Sequence, residues 1–112
     1  MDVSDLVQHV GERARFSAAG LAKLDCFRSD HLLLGLNCFE PGQGQTAHAH
    51  AGADKFYFVV SGKARFLVGR DAFDAGAGDL VLAPAGVEHG VERAFERTVL
   101  LVGIAPAPPV RR

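Results

Sequence analysis

The chain has 112 residues, 48% apolar and 22% charged, with 13 Gly, 5 Pro, 8 Phe and no Trp. That composition matches one compact soluble domain and argues against several. Twelve basic against thirteen acidic side chains leave a formal charge of -1, so there is no electrostatic footprint for nucleic acid or an anionic membrane surface. The most apolar run, residues 99–105, is far short of the roughly 20 residues a spanning helix needs, and no basic segment followed by an apolar stretch opens the chain; a cytoplasmic protein is expected.

Val3, Leu6, Val7 and Val10 recur at helical spacing behind Asp2 and Ser4, and Gly11 offers a stop, so the spacing predicts one short N-terminal helix within residues 1–15. His9 falls on its polar flank with no other ligand type three or four residues away, and is read as a solvated surface residue. Two cysteines are present. A tight turn at Ser29-Asp30 would set Cys26 opposite Leu33 and Cys38 opposite Leu21, which predicts reduced thiols rather than a disulfide.

From Phe16 onward the period changes to short segments rich in Val, Leu, Phe and Tyr, separated by turn residues. Strands are expected at residues 21–28, 31–40, 55–61, 63–69, 71–75, 79–83, 88–92 and 97–105, an all-β barrel or sandwich over residues 16–105. His31 would open a strand beside a turn and carry no chemistry. If Ser61-Gly62 is a two-residue hairpin loop, Val60 pairs with Lys63, Val59 with Ala64, Tyr57 with Phe66 and Lys55 with Val68. Residues 106–112 hold three prolines and are expected to form an extended tail.

Several of these strands are apolar on both faces. Phe56, Phe58 and Val60 alternate with Tyr57 and Val59, and Leu32, Leu34 and Leu36 alternate with Leu33 and Phe39. One short helix cannot cover so many positions, so a homodimer through Phe56, Phe58 and the even-numbered leucines is expected.

His48 and His50 are separated by one residue, so in an extended segment both side chains leave the same face, about 7 Å apart along the chain. His89 follows 39 residues after His50, just behind Pro84-Ala85-Gly86. Three neutral imidazoles from two strands form a common set for a divalent transition metal with open coordination positions; ligand identity alone does not separate iron, manganese, nickel and zinc. The alternative is that the histidines are packing or hydrogen-bonding groups in a barrel without metal. Unpartnered buried imidazoles carry a desolvation cost, which argues against it.

The flanking residues form two blocks. The first is Gly42, five residues, His48-Ala49-His50, four residues, Lys55, six residues, Gly62; the second is Gly78, five residues, Pro84-Ala85-Gly86, two residues, His89. These blocks resemble the two motifs of the cupin superfamily, G-x5-H-x-H-x3,4-E-x6-G and G-x5-P-x-G-x2-H-x3-N. Eight motif positions and their spacings agree. The resemblance implies a double-stranded β-helix, a small jelly-roll cupin barrel, with a metal or small-molecule site inside.

Two positions depart from that pattern: Lys55 stands where the family has glutamate, and Arg93 where it has asparagine. An ammonium group cannot coordinate a metal. Three placements of Lys55 follow. It enters the barrel beside a three-histidine metal and holds a carboxylate or enolate by charge; or it turns outward while Asp54 supplies an oxygen ligand; or the metal is absent and the pocket, with Lys55 and Arg93, binds an organic anion.

Two functions are therefore carried forward. One is a metal cupin acting as an enzyme on a small oxygenated or carboxylated molecule, with Lys55 as electrostatic clamp and Tyr57 or Asn37 as hydrogen-bond donor. The other is a non-catalytic binder of an organic anion without metal, and a barrel serving only its dimer stands behind both. The fold does not choose among reactions.

Overall fold

The structure is a computed structural model and describes residues 1–110. Among these, nine strands form two antiparallel sheets. The strands are β1 (Ala22–Arg28), β2 (Leu33–Phe39), β3 (Gln45–His48), β4 (Asp54–Ser61), β5 (Lys63–Val68), β6 (Asp71–Gly76), β7 (Leu80–Ala83), β8 (His89–Ala94) and β9 (Thr98–Ala105). The larger sheet runs β1-β2-β9-β4-β7 and the smaller β3-β8-β5-β6. The core lies between them. Phe39, Tyr57, Val59, Leu100 and Val102 from the larger sheet meet Ala64, Phe66, Val91 and Ala94 from the smaller. Tyr57 with Val59, Leu100 with Val102 and Ala64 with Phe66 alternate along their strands, while a register shift separates Val91 from Ala94 on β8; each large side chain contributes roughly 1.5–3 kcal/mol on burial.

The strand periods expected from the sequence are present, with one addition and one correction. β3 was not among the expected strands, because Gln45-Thr46-Ala47-His48 carries no apolar alternation. The hairpin register between β4 and β5 does not form: β4 pairs with β9 and β7, and β5 with β6 and β8. Ser61-Gly62 is a crossing from one sheet to the other. Gly62 has φ +88°, and a side chain there would collide with the Arg97 carbonyl and the Thr98 hydroxyl, so the motif glycine is required by the crossing itself. Tyr57 and Phe66 do meet, with ring centroids 5.3 Å apart, but across the barrel rather than along a ladder.

The β1–β2 connection is longer than a two-residue turn. Ser29 donates its N–H to the Leu32 carbonyl at 2.9 Å, which sets Cys38 opposite Ala22 and leaves Cys26 in a bulge between Asp25 and Phe27. Both thiols are free.

The N-terminal helix starts later than the apolar spacing predicts. Val3–Asp5 is a single 3-10 turn, and the helix α1 covers only Val10–Arg13. Val3, Leu6 and Val7 remain exposed, because so short a segment gains too few hydrogen bonds to offset helix nucleation. Val10, Ala14 and Phe16 nevertheless pack on the outside of the larger sheet, over buried Leu36, Cys38 and Val99. Arg97 fastens this cover, stacking 4.2 Å from the Phe16 ring centroid and gripping Glu40 through two hydrogen bonds of 2.7 and 3.1 Å. Leu36 is thus an interior residue, contrary to its expected place on a subunit interface.

Candidate metal centre

Local chain geometry brings the three histidines together. His48 ends β3 and His89 begins β8, where the two are direct register partners. His50 follows in the loop after β3, held by a hydrogen bond of 3.0 Å from the Gly86 N–H to the His50 carbonyl. The Ala85 N–H donates to Asp54 Oδ1 at 2.9 Å. The loop carrying His50 and the Pro84-Ala85-Gly86 turn before His89 are therefore tied twice, and each motif positions the other.

One nitrogen of each imidazole lies within 4.8 Å of the others. Ligands that share one ion at about 2.1 Å each would lie roughly 3 to 4 Å apart, so the three nitrogens are near the spacing such an ion would need. The ring centroids are 4.5 Å apart for His48 and His89, 4.9 Å for His48 and His50, and 5.3 Å for His50 and His89. His48 Nδ1 lies 3.0 Å from the Thr46 carbonyl, and His89 Nδ1 3.0 Å from the Val87 carbonyl. A carbonyl only accepts, so each Nδ1 carries the proton and each Nε2 keeps a free lone pair.

Nε2 of His50 and Nε2 of His89 are buried without a hydrogen-bond partner. A buried unpaired polar atom costs about 1–3 kcal/mol, and coordination to a cation offsets that cost. Burial pushes the His89 imidazole down to about 4, and the neighbouring charges of Lys55, His48 and His50 act in the same direction against the Val87 hydrogen bond. Burial, then the charges of His48, Lys55 and Lys23, also lower His50. Both rings are neutral at pH 7, the state a metal requires.

Lys55 is 6% exposed and lines the same cavity as His48 and His50. Its Nζ lies 4.5 Å from the Tyr57 ring centroid. Burial, with a smaller push from the Lys23 charge, brings it down to about 8, so it stays mainly charged at neutral pH. Asp54 is exposed and accepts from the Ala85 N–H, which removes the arrangement in which Lys55 turns outward and Asp54 supplies a ligand. Arg93 is exposed and lies against Phe95, 5.2 Å from its ring centroid; it is not a pocket residue. His9 and His31 are exposed, away from the cluster.

The cavity measures about 130 Å³, roughly four water volumes at about 30 Å³ each. Leu33, Val102 and Ile104 form its apolar wall, and Asn37, 5% exposed, contributes a polar group. Tyr57 stands behind the histidines: its ring lies 6.1 Å from that of His89, and its hydroxyl donates to Gln45 Oε1 at 2.8 Å. Gln45 was not singled out by sequence reasoning. A register shift between Gln45 and His48 brings this side chain inward, and strict alternation carries no trace of such a bulge. Lys23 and Asp25, on β1, also line the cavity and were not singled out by the sequence.

The sequence profile described as "Cupin domain" matches residues 35–104. An uncharacterized protein of Streptomyces coelicolor is 34% identical over 85 residues, 76% of this chain and 80% of that one. The crystal structure of TT1209 from Thermus thermophilus is 34% identical and superposes with a TM-score of 0.87, covering 91% of this chain and 98% of that one. An RmlC-like cupin from Desulfovibrio desulfuricans is 26% identical with a TM-score of 0.82, covering 89% and 95%. With two paired sheets, both motif blocks in place and a profile match over most of its length, the chain belongs to the cupin family.

Proposed function

We propose that this cupin holds one divalent transition metal on His48, His50 and His89 and uses it, together with Lys55, to bind a small oxygenated or carboxylated molecule. The carrying observation is the pair of buried Nε2 atoms without partners, set beside rings whose Nδ1 protons are fixed by backbone carbonyls. A bound ion supplies Lewis-acid charge to a substrate oxygen. The chain's own residues do the rest. Lys55 presents a positive charge to an anionic end of the ligand, Asn37 offers a hydrogen bond, Leu33, Val102 and Ile104 exclude water, and Tyr57 with Gln45 holds the back of the His89 ring.

Metal analysis of the purified protein, repeated after reconstitution with iron, manganese, nickel and zinc, tests this reading. Near-stoichiometric metal that is lost in His89→Ala supports it, and a protein that retains none of the four overturns it in favour of a metal-free anion binder. Turnover of small carboxylates or β-dicarbonyl compounds by the loaded protein separates enzyme from binder.

A second copy of this chain is the partner we propose for the outer face of β4 and β7. Phe56 pairs with Leu82 and Phe58 with Leu80; Phe58 is 37%, Leu80 58% and Leu82 62% exposed. These four adjoin on one face beside the free edge of β7, apolar positions with no cover of their own, whereas α1 covers only the β1–β2–β9 side.

A further inference from the structure

The charges around the cavity are unusual for a cation site. Lys23 and Lys55 both line it, and the single carboxylate lining it is Asp25. Among the described residues the ion pairs are Arg65 with Asp74 and Glu92, and Arg97 with Glu40; neither lysine has a carboxylate partner. Lys55 is at the floor beside the histidines, and Lys23 is an exposed residue of the edge strand β1, in register with Asn37 on β2. The side chains therefore carry a formal charge of +1, and a divalent ion on the histidines raises it to +3. A neutral ligand leaves this charge uncompensated, and a monoanion compensates a third of it.

Resting on the three-histidine metal reading above, we propose that the ligand is a small organic dianion of the dicarboxylate class, one carboxylate at the metal and Lys55, the other at Lys23 on the rim. A cavity of about 130 Å³ limits it to a few heavy atoms, far below the roughly 300–1,000 Å³ of drug-sized sites. Lys23 is the specificity-determining residue, since it supplies the second side-chain cation of the lining, on the rim. Asp25, two residues along the same strand and on the same face, opposes anion binding at the mouth and partly offsets Lys23.

Calorimetric titration of the zinc-loaded protein at low ionic strength, with malonate as dianion and acetate as monoanion, tests this. Malonate is expected to bind at least tenfold more tightly than acetate. Lys23→Gln, at an exposed position that the fold does not need, is expected to cost malonate at least tenfold while changing acetate less than twofold and zinc content not at all. Lys23→Arg restores malonate binding, and Asp25→Asn tightens it. Equal affinity for the two acids, no binding of either, or a malonate affinity within twofold of wild type in Lys23→Gln overturns the proposal. Failure of the metal reading shows separately, as zinc lost on dialysis of the wild type; the same malonate series on that metal-free protein then scores Lys23 alone.

Discussion

His48 and His89 face each other directly across the β3–β8 ladder, and each donates its Nδ1 proton to the backbone carbonyl two residues before it, Thr46 and Val87 respectively. Orientation of the lone pairs is thereby fixed by main chain, which no side-chain substitution removes. Truncating either ring instead removes a ligand. His48→Ala and His89→Ala are expected to lower zinc affinity by at least ~100-fold, beyond the 10–100-fold typical of losing an outer partner. Competition with a chromogenic chelator measures it, and unchanged affinity in both variants would remove the metal centre.

Acid should destabilise the metal-free protein in a defined window. His89 ionises at about 4 in the fold against about 6.5 in an unfolded chain. Below 6.5 the unfolded state takes up the proton first, so stability falls as pH drops and levels off near 4, with a slope of at most about 1.4 kcal/mol per pH unit for this residue. His50 acts in the same sense. Urea titrations between pH 7 and 5 should show the decline, and His89→Ala should flatten it.

Much of the site was legible in the sequence because its spacing is local. His48-x-His50 needed only strand alternation, whereas the motif frame offered an inward Lys55 as one of several placements and burial in the fold selects it. Long-range choices were not legible. Whether β5 continues beside β4 or crosses to the other sheet depends on β8 and β9, dozens of residues away, and so the Ser61-Gly62 register failed. Lys23 and Asp25 belong to no motif and alternate with Ala22, Leu24 and Cys26, which pack under α1; only the edge position of β1 sets their face beside the cavity mouth. Gln45 turned inward only through a bulge.

Tyr57 gives a separable test of positioning against chemistry. Its hydroxyl is bound to Gln45 and its ring is fully buried against Phe66 and near His89. Tyr57→Phe keeps the ring and strands Gln45, whose Nε2 already lacks a partner, so a loss of about 1–2 kcal/mol in stability is expected. Zinc content should stay at the wild-type level. A variant as stable as wild type but with altered ligand affinity would place the hydroxyl in ligand binding instead.

Assembly is tested at Leu82, which is 62% exposed on the β7 edge beside Phe56. Sedimentation at micromolar concentration should show a dimer, consistent with an interface of at least roughly 1,000 Å². Leu82→Asp is expected to give a folded monomer, since a carboxylate there is solvated in the monomer and buried in the dimer. Wild-type protein sedimenting only as a monomer would leave the β4–β7 face without its proposed partner.

Lys55 sets stability against function. It is buried at 6% exposure and ionises at about 8, below the value of about 10.4 for an exposed lysine. A lysine whose folded value is depressed loses stability as pH falls from the unfolded value through the folded one, so at pH 7 its full cost is present. Lys55→Met, similar in length and apolar, should therefore stabilise the metal-free protein by about 1–3 kcal/mol in urea denaturation. It should leave the three histidines and their zinc affinity largely intact while weakening binding of anionic ligands. Lys55→Glu does the opposite to the charge, placing an oxygen ligand beside the histidines, and is expected to tighten zinc retention at least tenfold. The two variants together are decisive: if Lys55→Met gains no stability and Lys55→Glu gains no metal, the ammonium is not in the field of the site, and the anion-binding role assigned to it fails.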